Sequence, residues 1–233
     1  MAKYTRTLTI LTDAEIQQKE VPLFRGAVLN CLGDKANILF HNHTEDNKFR
    51  YSYPLIQYKR IHGKAAIVCV EEGADVIGQF FLESTSSFNI GERRVSFHVE
   101  KIMPSKILVQ TWQQSFVYHV NCWLPLNSAN YQTYISTESI VERMVLLEKI
   151  LKGNLLSMLK GLDIHLEDQL EASITNISEP YTIENKGVRL MAFNLDFSSN
   201  LSIPNNIGIG KNASLGYGTI HQVKVENESQ KQN

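Results

Sequence analysis

The chain has 233 residues, 43% hydrophobic and 20% charged, with a formal net charge of −1. That profile excludes a disordered polyelectrolyte and a protein that coats nucleic acid by bulk charge, and the length suits one large domain or two small ones. Three scattered cysteines (Cys31, Cys69, Cys122) make neither a disulfide framework nor a zinc knuckle, and no run has the ~20 apolar residues of a membrane span or the apolar core of a signal peptide, so a reducing cytoplasm is the expected location.

In chain order, residues 3–12 alternate in the manner of a strand. Pro22 opens a helical pattern through Phe24, Ala27, Val28 and Cys31 that Gly33 closes. A polar loop with His41, His43, Glu45 and Asp46 leads to a second strand, 49–53, stopped by Pro54. The run KAAIVCV, 64–70, has the continuous apolarity of a buried strand, 73–83 reads as a helix, and 93–101 alternates again. The order β-α-β-β-α-β is that of a ferredoxin-like half.

A β-rich stretch follows over 106–124, then a long helix that Ser139 and Glu142 start as a capping pair, with Gly153 inside it as a weak point. Strands are expected at 171–177, 187–197 and 218–225. The second half thus repeats the first, with a glycine segment in place of its second helix. The fold expected is α+β, tandem ferredoxin-like domains at 1–103 and 104–226, with a disordered polar tail at 227–233.

Charge is uneven. Residues 35–64 hold Lys35, Lys48, Arg50, Lys59, Arg60 and Lys64 against Glu45 and Asp46, and residues 186–225 hold Lys186, Arg189, Lys211 and Lys224 against Asp196. Two local basic surfaces suited to phosphates are one reading, and scattered solvated lysines are the other.

The segment GIGKNASLGYG places Gly208, Gly210, Gly216 and Gly218 around Lys211 and Ser214. Glycine lets a backbone approach a ligand closely, so an anion cradle is one reading and a plain turn between strands is the other. Asn205 and Asn212 stand where a Walker A loop needs glycine and a hydroxyl, and Ala213 stands where a dinucleotide fingerprint needs its third glycine.

This glycine segment resembles the loop near the C-terminus of the RAMP superfamily of CRISPR-associated proteins. VPLFRGAVLNCLG, His41, Lys48 and Phe49-Arg50-Tyr51-Ser52 are similar to the helix, histidine, basic loop and aromatic strand of its repeat-processing endoribonucleases. The resemblance implies a metal-independent cut of CRISPR repeat RNA by the ribose 2′-OH, leaving a 2′,3′-cyclic phosphate. It implies His41 and His43 as acid and base, Lys48 and Lys35 as charge stabilisers, and Tyr51 and Tyr53 as orienting hydroxyls. Histidine suits those two roles because its pKa lies near neutrality. RNA would be held by Arg25, Lys35, Arg50, Tyr53, Gly208, Gly210, Lys211, Ser214, Gly216 and Gly218.

No metal or cofactor is called for: the His-x-His pair lacks a third ligand in a recognisable zinc spacing. The expected partner is repeat RNA, with a CRISPR effector complex and a homodimer as further associations to be tested, and no membrane. Two other readings stay open on the residues. One is a RAMP-type subunit that binds repeat RNA without cutting it; the other is a ferredoxin-like protein that binds a small anion at the glycine segment.

Overall fold

A computed structural model describes residues 3–33, 38–41, 53–83, 87–185 and 187–223, with the backbone alone described at His41 and Glu83. The first half opens with β1 (Lys3–Glu15), a 3-10 turn at Gln18–Glu20 and α1 (Val21–Leu32). Pro22 lies in the first turn of α1, where no intrahelical N–H is needed, and Gly33 ends it at φ 52°. A short helix α2 (Ile38–His41) precedes β2 (Ile56–Ile61) and β3 (Lys64–Val70). Helices α3 (Glu72–Val76) and α4 (Gly78–Glu83) follow, then a small hairpin of β4 (Ser87–Ile90) and β5 (Arg93–Ser96), and β6 (Val99–Val109). The four main strands form an antiparallel sheet in the order β2-β3-β1-β6, with the first and third strands central. That is the ferredoxin-like arrangement.

The second half repeats it. β7 (Thr111–Trp123) leads into α5 (Ser128–Ser136) and α6 (Ile140–Gly161). Then come β8 (Ala172–Ile177), β9 (Tyr181–Asn185), β10 (Val188–Leu201) and β11 (Thr219–Gln222). The sheet order is β11-β7-β10-β8, again with first and third strands central, and β9 pairs with the far end of β10. Residues 202–218, including a 3-10 turn at Ala213–Leu215, occupy the place of a second helix. The Ser139 hydroxyl accepts from the Glu142 N–H at the start of α6, and the helix runs through Gly153 without a break.

Several local expectations change. The helix expected at 73–83 is divided at Ile77, and the strand expected at 93–101 is divided at Phe97 and His98. Phe97 leaves the strand because its ring closes an aromatic cluster, with its centroid 4.4 Å from Phe88 and 5.7 Å from Phe80. Residues 53–55 are not strand; the second strand begins at Ile56. Residues 49–52, most of the strand expected there, lie outside the described residues, as does the tail at 227–233.

β3 explains how the halves join. Ala65, Ile67 and Cys69 face the cluster that α1 covers with Phe24 and Val28, while Ala66, Val68 and Val70 join a second cluster with Tyr118, Trp123, Leu151 and Phe197 of the second half. A strand covered on both faces loses the polar alternation of a half-exposed one, hence its continuous apolar sequence. Among the described residues, no helix is long and apolar enough to cross a membrane.

Candidate functional site

The connection from β10 to β11 lies in the seam between the halves and is held from both. The Gly208 N–H donates to Gln57 Oε1 at 2.8 Å, the Gly208 carbonyl accepts from the Tyr53 hydroxyl at 2.9 Å, and the Gly216 carbonyl accepts from Gln18 Nε2 at 3.2 Å. From the second half, the Lys211 N–H reaches the Leu124 carbonyl and the Gly218 N–H the Cys122 carbonyl. Several of the N–H groups that a cradle would offer to an anion are therefore spent on holding the segment in place.

The glycines are there for close packing. A Cβ on Gly218 would stand 1.9 Å from the Ile209 carbonyl oxygen, and one on Gly210 would stand 2.9 Å from Asn154 Oδ1 and 3.0 Å from Trp123 Nε1. A Cβ on Gly208 would stand 2.6 Å from Lys59 Nζ. Lys59, one of the basic residues of the first half, is completely buried and donates to the Ala213 carbonyl at 3.0 Å. Burial holds its pKa down to about 7. It underlies the segment and is not part of a solvated basic face.

In front of the segment a cleft of about 940 Å3 opens between Tyr53 and Pro54, the end of α6, and residues 209–213. Asn154, Ser157 and Gly161 present one side of α6 to it at spacings of three and four residues, and Lys160 and Lys211 also line it. Among the described residues, no aspartate or glutamate lines it. Asn154 is fixed by the Trp123 indole, which donates to Oδ1 at 2.9 Å, and Gly161 is required because a Cβ there would stand 2.2 Å from the Tyr53 Cβ. Burial pushes the Tyr53 phenol well above its ordinary range, so it stays a neutral hydrogen-bond donor. A positive cleft with amide and hydroxyl groups on its walls can hold a phosphodiester strand.

The expected site residues divide into three sets. Tyr53, Gly210 and Lys211 come together at this cleft, with Gly208 directly behind it. Gly216 lines a second cavity, Gly218 is buried, Ser214 is half-buried in the 3-10 turn, and Arg25 lies half-buried on α1, outside the lining of the cleft. His41 ends α2, and its side chain lies outside the described residues, as do Lys35, His43, Lys48, Arg50 and Tyr51. Reasoning from sequence missed Asn154, Ser157 and Lys160; the signal available was a small and polar stripe at 154, 157 and 161 in an otherwise apolar and charged helix.

The family model for the Cas6b N-terminal domain matches residues 2–107, and that for the Cas6b C-terminal domain matches residues 110–223. An uncharacterised protein of Methanocaldococcus jannaschii is 37% identical over 105 residues, which make up 45% of this chain and 70% of that one. A crystal structure of Cas6b superposes with a TM-score of 0.84 at 25% identity, covering 95% of this chain and 100% of that one. A crystal structure of the CRISPR RNA processing endoribonuclease Cas6b superposes with a TM-score of 0.72 at 22% identity, covering 96% and 100%.

Proposed function

The chain belongs to the Cas6b family, and from that premise we propose that it is an endoribonuclease that cuts CRISPR repeat transcripts into guide RNAs. The observation that carries the reading is the pair of matches, which together span nearly the whole chain. The cleft between Tyr53, Lys160 and Lys211, which no carboxylate lines among the described residues, supports it as a surface for the RNA strand.

The chemistry we propose needs no metal. A ribose 2′-OH attacks the adjacent phosphorus while a base removes its proton, and the P–O5′ bond breaks as an acid protonates the leaving oxygen. The products are a 2′,3′-cyclic phosphate and a free 5′-OH. His41 and His43 are assigned the base and acid roles, Lys48 and Lys35 the stabilisation of the charged phosphorane, and Tyr51 an orienting hydrogen bond. Positioned acid–base groups of this kind are worth roughly 10²–10⁴-fold.

The test is incubation of the protein with labelled repeat RNA in EDTA, with analysis of the new ends. A single cut leaving a cyclic phosphate is expected, and one 2′-deoxy substitution at the cut should abolish it without abolishing binding. Cleavage of the deoxy substrate would overturn the mechanism. Tight binding with no cut would replace it with a non-catalytic RNA-binding subunit.

A further inference from the structure

A second cavity, of about 610 Å3, opens at the seam beside Gly216 and shares no lining residue with the cleft. The first half contributes Arg60 and His62, and the second contributes Asn121, Tyr181 and His221. Among the described residues, no aspartate or glutamate lines it. The nearby Asp196 is already engaged: its Oδ1 is 2.6 Å from His119 Nδ1 and its Oδ2 accepts from Asn176 at 3.2 Å. His119 is the cross-strand partner of His221 in the β7–β11 pair. An arginine and two imidazoles thus line one hollow, with the Asp196-paired His119 behind His221 and no carboxylate among the described lining residues.

The turn that presents His62 is unusual. His62 and Gly63 are the two central residues between β2 and β3, at φ 49° and φ 84°. Such turns favour asparagine or aspartate before glycine, and another side chain held at positive φ carries a conformational cost. A histidine kept there puts an imidazole at the cavity mouth in spite of that cost. Arg60 is also held, since its Nε donates to the Ile16 carbonyl at 2.8 Å.

We propose that this cavity is a phosphate subsite, separate from the cleft, that takes a backbone phosphate of a single RNA strand, with the Tyr181 ring beside it for the attached base. The proposal rests on the RNA-binding part of the function above and not on cleavage. Burial, and then the positive neighbours His119, Lys59 and His62, hold the His221 pKa down. A phosphate would relieve that repulsion, so binding here should strengthen as pH falls through the histidine range. Beside Arg60, the other titratable groups of the lining, Tyr181 and Cys122, stay neutral because burial raises both.

The test follows the imidazole NMR signals of the full chain, isotope-labelled at histidine, during titration with a short single-stranded oligoribonucleotide unrelated to repeat RNA, and separately with adenosine 5′-monophosphate. The oligonucleotide should shift the His62 and His221 signals and raise both titration midpoints. The double variant His62→Asn, which suits the turn, with His221→Gln should bind the oligonucleotide roughly tenfold more weakly at about pH 6, and cut saturating repeat RNA at an unchanged rate. Unmoved signals, or unchanged affinity in the variant, overturn the proposal. A response to the mononucleotide but not to the oligonucleotide overturns its assignment to an RNA strand. A chain that moves these signals yet cuts no RNA overturns only the nuclease reading.

Discussion

The Tyr53 hydroxyl donates to the Gly208 carbonyl at 2.9 Å, joining residues 155 positions apart across the seam between the two halves. Tyr53 lines the cleft and Gly208 lies directly behind it, so this bond fixes the wall against which an RNA strand would lie. Tyr53→Phe removes the donor and leaves a carbonyl unsatisfied, which costs about 1–3 kcal/mol. Urea unfolding should show that loss, with weaker RNA binding at the cleft accompanying it.

The glycines of the chain should answer differently to alanine. Gly218→Ala meets the Ile209 carbonyl at 1.9 Å and a backbone at φ 61°, so it should cost more than about 3 kcal/mol or prevent folding. Gly153→Ala meets open space in the middle of α6 and should stabilise by about 0.5–1 kcal/mol. Thermal unfolding of the two variants is the comparison.

Lys59 gives the protein a pH signature. Its pKa is about 7 when buried, against 10.5 as the ordinary value, so between those two pH values the unfolded chain binds the extra proton. Stability contributed through Lys59 therefore rises with pH over that window and is lost below it. The difference in unfolding free energy between wild type and Lys59→Met, measured from pH 6 to 10, should tilt in favour of wild type as pH rises. A difference that stays flat would mean the ammonium is not desolvated.

Lys211 is exposed at the cleft, and its side chain is free of the packing that fixes the glycines around it. Lys211→Ala should weaken RNA binding across sequences alike and reduce the slope of log affinity against log salt by about 0.7, the value for one single-strand phosphate contact. Lys160→Ala should do the same.

For the proposed chemistry, His41→Ala and His43→Ala together should slow single-turnover cleavage by roughly 10²–10⁴-fold with RNA affinity nearly unchanged. Undiminished cleavage would move the acid and base elsewhere.

Much of the fold was legible because local chemistry and tertiary demand agree in this chain. Pro22 and Gly33 bound α1, Ser139 starts α6, and the apolar run 64–70 is the strand covered on both faces. α5 went unseen because its residues, SANYQTYIS, are weak helix formers that bury only Tyr134. The role of the glycine segment was legible only as a choice between a cradle and a turn, since what each glycine faces is set by residues as distant as Lys59, Asn154 and Tyr53. Lys59 itself misleads any count of charge by position: sequence cannot tell a solvated lysine from one sealed under a later loop.

That seal has a consequence for how the protein comes into being. Residues 202–218 are made well after the first half, yet they bind its Gln18, Tyr53, Gln57 and Lys59. A nascent chain stopped at β10 has both sheets in outline but no back wall to its cleft, and its Lys59 ammonium lacks the Ala213 carbonyl. Synthesis from one end to the other thus delays assembly of the cleft until residues 202–218 have been made, and products truncated before them are denied it.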